Sequence, residues 1–167
     1  MATLVIRPGE ERDLEEIVRI LNHYIATSHV TFDTVPFDSE ARRAWFEQFD
    51  TAGRYRLLIA EDGPAIVGYA ASTALRPKAA YLPSVETSIY LDPDHTGRGI
   101  GIRLYRTLLD ALGREDVHRA YAGIALPNPG SVALHEALGF QQVGTFDEAG
   151  RKFDRYWSIG WWERRFA

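Results

Sequence analysis

The sequence predicts one α/β domain of mixed type over residues 1–167, with a mostly antiparallel central sheet of about seven strands flanked by about four helices. Three observations lead there. Segments alternating apolar and polar residues are interleaved with segments of three- and four-residue apolar spacing. The front half carries a hairpin signature, whereas the back half reads as strand–helix–strand crossovers. The chain of 167 residues, 46% hydrophobic and 25% charged, also suits a single core, with no repeat, low-complexity tract or interdomain linker.

The elements follow in order. TLVIR alternates as a first strand and is stopped by Pro8-Gly9. From Glu10 to about Thr27, Leu14, Ile17, Val18, Leu21, Tyr24 and Ile25 recur on one helical face. FDTVPFDSE reads as a loop, with Asp38 or Ser39 capping a second helix that runs through Trp45 and Phe46 to about Phe49. RLLIAEDGPAIVGYAAST is two strands joined by a Glu-Asp-Gly-Pro turn. SVETSIYLD is a fourth strand, followed by a helix from about Gly99 to Leu112 and a strand within VHRAYAGIAL. A short helix over SVALHEAL stops at Gly139, and FQQVGTF and RYWSIGWW close the sheet.

Composition narrows the function. A formal net charge of −4 argues against a nucleic-acid binder, which usually presents a basic face. No apolar run approaches the roughly 20 residues of a membrane span, and MATLVIRPGEER lacks a signal-peptide pattern, so a cytoplasmic protein is expected. Without cysteine there is neither a disulfide framework nor a thiolate nucleophile. His23, His29, His95 and His118 share no metal-ligand spacing, so no metal site is expected.

The most informative stretch is LDPDHTGRGIGI, Leu91 to Ile102, where Gly97, Gly99 and Gly101 join a strand to a helix. A helix start presents unpartnered amides and a partial positive charge. Glycines there let a bulky anion reach those amides, and Arg98 adds a cation at the rim. A dinucleotide fingerprint is excluded, because the sixth position is Ile102 counted from Gly97 and Leu104 counted from Gly99. A P-loop is excluded because Ile-Arg-Leu follows Gly101. Two readings remain: a G-x-G-x-G anion loop, or a turn of structural use alone.

That loop resembles the coenzyme A pyrophosphate loop of the GCN5-related N-acetyltransferases (GNAT). Downstream, ALPNPGSVALHEALGF resembles the same family's closing motif. NHYIATSHVTFDTVP and LHEALGF resemble its phosphinothricin and methionine sulfoximine acetyltransferase branch, in order along nearly the whole chain. The resemblance implies the acyl-CoA N-acyltransferase fold, acetyl-CoA as acetyl donor, a small amino-acid-like acceptor and a homodimer. It implies donor contacts from Thr96, Gly97, Arg98, Gly99, Ile100, Gly101 and Ile102, and from Asn128 and Ser131. Asn128, held between Pro127 and Pro129, would have its side chain free for the ligand. Backbone amides of Ile89, Tyr90 and Leu91 would hold the thioester oxygen where the strand splays from its neighbour. Relatives often carry Gln or Arg where this chain has Thr96.

Amide formation from an α-ammonium group requires a base. By the two-residue period Ser84, Glu86, Ser88 and Tyr90 share one face of the fourth strand, and Val85, Thr87, Ile89 and Leu91 the other. Glu86 matches the general base of the branch. His135 occupies the place where many relatives have a thiolate-protonating Tyr, and its role as acid or base stays open. For the acceptor, Arg76, Lys78 and Tyr81 precede the catalytic strand, with Phe32, Tyr90 and Tyr105 as walls. Relatives commonly carry Arg where this chain has Lys78, and the tail departs further: Asp154, Tyr156 and Ser158 stand for Gly, Trp and Asp. Trp157, Trp161 and Trp162 fit a core or a dimer seam. An acetyltransferase of the same fold acting on a protein amino terminus, a polyamine or an aminoglycoside is the nearest rival reading. A non-catalytic acyl-CoA-binding module is the other.

Overall fold

The computed structural model describes residues 3–167. Seven strands form one sheet in the order β1-β2-β3-β4-β5-β7-β6. They are β1 (Leu4–Pro8), β2 (Leu57–Asp62), β3 (Ala65–Ala74), β4 (Ser84–Leu91), β5 (Arg119–Ala125), β6 (Gln141–Lys152) and β7 (Arg155–Arg165). All neighbours are antiparallel except β4 and β5, which run parallel. Four α-helices cover the faces: α1 (Leu14–Thr27), α2 (Ser39–Phe46), α3 (Ile100–Leu112) and α4 (Pro129–Ala137).

Strand alternation splits the core into two layers. Leu58 and Ala60 of β2 face the α3 side, where Leu104, Tyr105, Leu108 and Leu112 are fully buried. Leu57 and Ile59 face the α1 side and pack on Ile17 and Ile20. The entry to α1 is fixed by Arg7, which donates to both carboxylate oxygens of the buried Asp13 at 2.7 Å. Asp38 caps α2, accepting from the Ala41 amide at 2.7 Å, and Ser39 is the first helical residue.

The tail differs from the sequence expectation. A strand ending near Phe146 was expected, yet β6 continues to Lys152 through two register shifts against β7. Residues 147–152 have no apolar alternation, so their pairing comes from β7. The hairpin turns through Phe153 and Asp154 at φ 53° and 56°, the left-handed region. The resemblance implies Gly at the second of these positions, and Asp is among the few other residues that visit this region readily.

Candidate active site

The site begins where two strands part. β4 and β5 pair only at Ser84–Arg119, Val85–Ala120 and Glu86–Tyr121. Beyond Glu86 the strands separate, leaving alternate backbone groups of Thr87–Leu91 without a ladder partner on that side. The opening continues into a groove of about 440 Å³ bounded by Glu86–Leu91, Ala122–Ile124, Thr96, Gly97 and the start of α4. Ile89, Tyr90 and Leu91 therefore lie on its wall. The Leu91 carbonyl is already engaged, accepting from the Tyr24 hydroxyl at 2.6 Å.

At the groove's far end is the glycine loop. Gly97 and Gly99 take φ values of 73° and 74°, and a Cβ at either would meet nothing within 4 Å. These two positions need glycine for backbone conformation and face open space. Gly99 is the N-cap of α3 and supplies no side-chain cap, so the first helical amides, of Ile100, Gly101 and Ile102, have no intrahelical acceptor. Thr96 and Arg98 are exposed beside them. Gly101 departs from the sequence reading. It is buried, and a Cβ there would lie 3.2 Å from Leu91 Cδ1 and 3.6 Å from Leu134 Cδ2. Its missing side chain lets α3 seat on the sheet rather than opening a path to an anion.

Asn128 also differs from expectation. Its Oδ1 accepts from the Ser131 amide at 3.2 Å and caps α4, so the side chain is held by the protein and presents chiefly its Nδ2 donor to a ligand. Ser131 in turn positions His135, whose Nδ1 donates to the Ser131 carbonyl at 2.7 Å. That bond places the ring proton on Nδ1 and makes Nε2 an acceptor. Nε2 is buried without a partner. Burial lowers the His135 pKa against the smaller opposing effect of the Ser131 bond. The ring is therefore neutral near pH 7, with Nε2 able to take up a proton.

Glu86 is half-buried, and loss of hydration raises its pKa while the nearby Arg76 charge pulls it down. A carboxylate destabilised in this way holds a proton more strongly than an ordinary glutamate, as a general base toward an ammonium group requires. Beside it lies a second cleft of about 300 Å³, lined by Arg76, Tyr81, Tyr121, Val143, Phe146 and Trp161. Lys78 is exposed at the start of a 3-10 turn and is not part of that lining. Phe32 lies against Gly150 of β6, where a Cβ would come within 2.7 Å of its ring.

Tyr105 is a correction. It is fully buried on the α3 side, opposite Glu86, with its ring stacked on Phe140 at 5.8 Å. Thr87 Oγ1 donates to the Tyr121 carbonyl at 3.3 Å, so the Tyr105 hydroxyl donates to Thr87 at 2.6 Å. The residue braces β4 from behind and does not line the acceptor cleft. Sequence reading missed several groove and cleft residues: Tyr24, Val30, Tyr121, Val143 and Phe146. Tyr24 and Val30 fall within the NHYIATSHVTFDTVP stretch without being singled out there, and Tyr121, Val143 and Phe146 carry no motif.

No group of three or more potential metal ligands occurs among the described residues, and no helix among them is long and apolar enough to cross a membrane. Residues 6–161 match the family model for the acetyltransferase (GNAT) domain. The chain is 50% identical over 165 residues to a phosphinothricin N-acetyltransferase of Streptomyces coelicolor, covering 98% of this chain and 96% of that protein. It is 32% identical over 152 residues to an L-methionine sulfoximine/L-methionine sulfone acetyltransferase of Pseudomonas paraeruginosa, covering 90% and 88%. A GNAT superfamily phosphinothricin acetyltransferase from Sinorhizobium meliloti, solved in complex with acetyl-CoA, superposes with a TM-score of 0.93 at 30% identity, covering 99% and 89%. Sequence and backbone thus agree over almost the entire length, and the chain belongs to the GNAT family of acetyltransferases.

Proposed function

We propose that the protein transfers acetyl from acetyl-CoA to the α-amino group of a small amino acid or analogue of the phosphinothricin, methionine sulfoximine or methionine sulfone type. Donor and acceptor bind together, in the cytoplasm. One observation carries the reading: Glu86, with its raised pKa, stands at the point where β4 and β5 part, between the glycine-loop groove and the Arg76 cleft.

The residues present fit the donor. Left-handed Gly97 and Gly99 and the uncapped amides of α3 would receive its phosphates, and the free edge of β4 would receive its amide-bearing arm. When bound, acetyl-CoA supplies the activated acetyl thioester. Arg76 would grip the acceptor carboxylate in two-point fashion. Glu86 takes the proton from the α-ammonium group. His135, neutral and with Nε2 free, would take the second proton that the acceptor nitrogen sheds as the amide bond forms and the carbon–sulfur bond breaks, and would pass it to the departing sulfur. A homodimer completes the proposal. β6 is an edge strand, and Val143, Phe146, Phe153 and Tyr156 expose half or more of their surface along the β6–β7 hairpin.

Thioester consumption against phosphinothricin, methionine sulfoximine, methionine sulfone, spermidine and an aminoglycoside tests the function. The amino-acid analogues are the expected acceptors. Glu86→Gln should lower kcat by roughly 10²- to 10⁴-fold while leaving acetyl-CoA binding in place. Turnover confined to the polyamine or aminoglycoside, or an unimpaired Glu86→Gln enzyme, overturns the proposal.

A further inference from the structure

The face of the sheet that carries Glu86 holds a second set of polar groups that proton transfer leaves unused. Across β3 and β4, Thr73 pairs with Glu86, Ala71 with Ser88 and Tyr69 with Tyr90. The two-residue period places these side chains in one row. At the far end Tyr69 is 1% exposed and its ring stacks on Tyr90 at 5.5 Å, yet its hydroxyl has no hydrogen-bond partner. Arg42 of α2 reaches the same place. Its guanidinium carbon lies 4.1 Å from the Trp45 ring centre, and Trp45 meets Tyr69 edge-on at 6.1 Å. Nε of Arg42 is likewise buried and unpartnered. The ionisable groups that act on this guanidinium are Tyr69, Asp33 and Tyr90. The Asp33 carboxylate is itself exposed and accepts from the Thr31 hydroxyl at 3.1 Å.

Two buried polar groups left unpaired in one aromatic box are a costly arrangement. A ligand oxygen brought against either would supply the missing partner, and a negatively charged one would also offset the guanidinium. The row between this box and Glu86 is floored by Ser88 and Ala71, both small. The rise from Glu86 to Tyr90 is about 13 Å over four residues. An acceptor whose α-nitrogen and distal oxygen lie about 6–7 Å apart, with a hydrogen bond of about 2.8 Å at each end, spans roughly 12 Å.

We infer that Arg42 and Tyr69 form a subsite for the distal end of the acceptor, selective for a terminus that carries an anionic or strongly dipolar oxygen: a phosphinate, sulfone or sulfoximine. The inference rests on the assignment of Glu86 to the α-amine. Its test compares kcat/KM for methionine sulfone with that for methionine, which shares the carbon–sulfur skeleton but lacks the oxygens, in the wild type, Arg42→Met and Tyr69→Phe. The wild type should prefer the sulfone, and the sulfone-to-methionine ratio should fall about 10-fold or more in each variant. Parallel loss on both acceptors, no change in the ratio, or a wild-type ratio near one overturns the subsite while leaving the Glu86 assignment standing. Failure of the wild type to acetylate either acceptor removes that assignment and the subsite with it. Should Arg42→Met not fold, Tyr69→Phe decides alone, because it deletes one oxygen and keeps the ring.

Discussion

Replacing Gly99 separates the two things a glycine can do at a helix start. With φ at 74° and no atom within 4 Å of a Cβ, alanine meets no clash there and suffers only the left-handed backbone penalty, about 1–2 kcal/mol. Reduced freedom of the unfolded chain offsets about 0.4–1 kcal/mol of that. The net loss is then about 1 kcal/mol, or roughly 2–4 °C in Tm for a chain of this size. Asparagine tolerates the left-handed region, so Gly99→Asn should recover most of the stability. Coenzyme affinity should behave differently. In both variants a side chain stands before the α3 amides, so the Kd for coenzyme A should rise at least about 10-fold in each. Scanning calorimetry reads the first quantity and isothermal titration the second. Gly101→Ala serves as the contrast: its Cβ presses on Leu91 from inside the core, and coenzyme affinity should change less than in either Gly99 variant. A Gly99→Asn protein that binds coenzyme A as tightly as the wild type refutes the reasoning, because an anion held against those amides would meet the new side chain.

Three further expectations concern the neighbouring elements. Glu86 has a folded-state pKa above its unfolded value, so it favours the native state below the ordinary carboxylate range and loses that advantage as pH rises through the raised value. Glu86→Gln should therefore gain Tm over the wild type on going from pH 4 to pH 7, and a constant Tm difference across that range would contradict it. Tyr105→Phe removes the donor to Thr87 and should cost about 1 kcal/mol in a urea titration; because Tyr105 lies behind β4, a large rise in acceptor KM would contradict its placement. Gly150→Ala drives a methyl group into the Phe32 ring and should raise acceptor KM several-fold with coenzyme Kd unchanged. Equal effects on both ligands would show that Phe32 does not shape the acceptor side alone.

Most of the scaffold was legible because apolar periodicity and turn chemistry act locally. The α1 stripe, the Asp38 cap and the hairpin between β2 and β3 are each specified within a few residues. The strand–glycine loop–helix junction was legible for a similar reason, since its parts are contiguous, although Gly101 serves packing. Tyr105 was misassigned despite a readable signal. Ile100, Leu104, Leu108 and Leu112 mark the core face of α3, and Tyr105 lies four residues after Gly101 on the same buried side. The Arg42–Tyr69 box had no signal, because it exists only once α2 packs on β3. The second half of β6 was equally silent: its residues pair because β7 is there, not because they alternate.

The β6–β7 hairpin grips the segment after α1 at three places. Lys152, buried, donates to the Thr31 carbonyl at 2.9 Å; Phe32 fits over Gly150; and His29 stacks on Trp157 at 4.1 Å. None of these contacts passes through the glycine loop or α3. The hairpin and the segment after α1 are thereby held together independently of the glycine loop. A substitution in the hairpin is therefore felt first by residues 29–32, while left-handed Gly97 and Gly99 and the start of α3 keep their own local support.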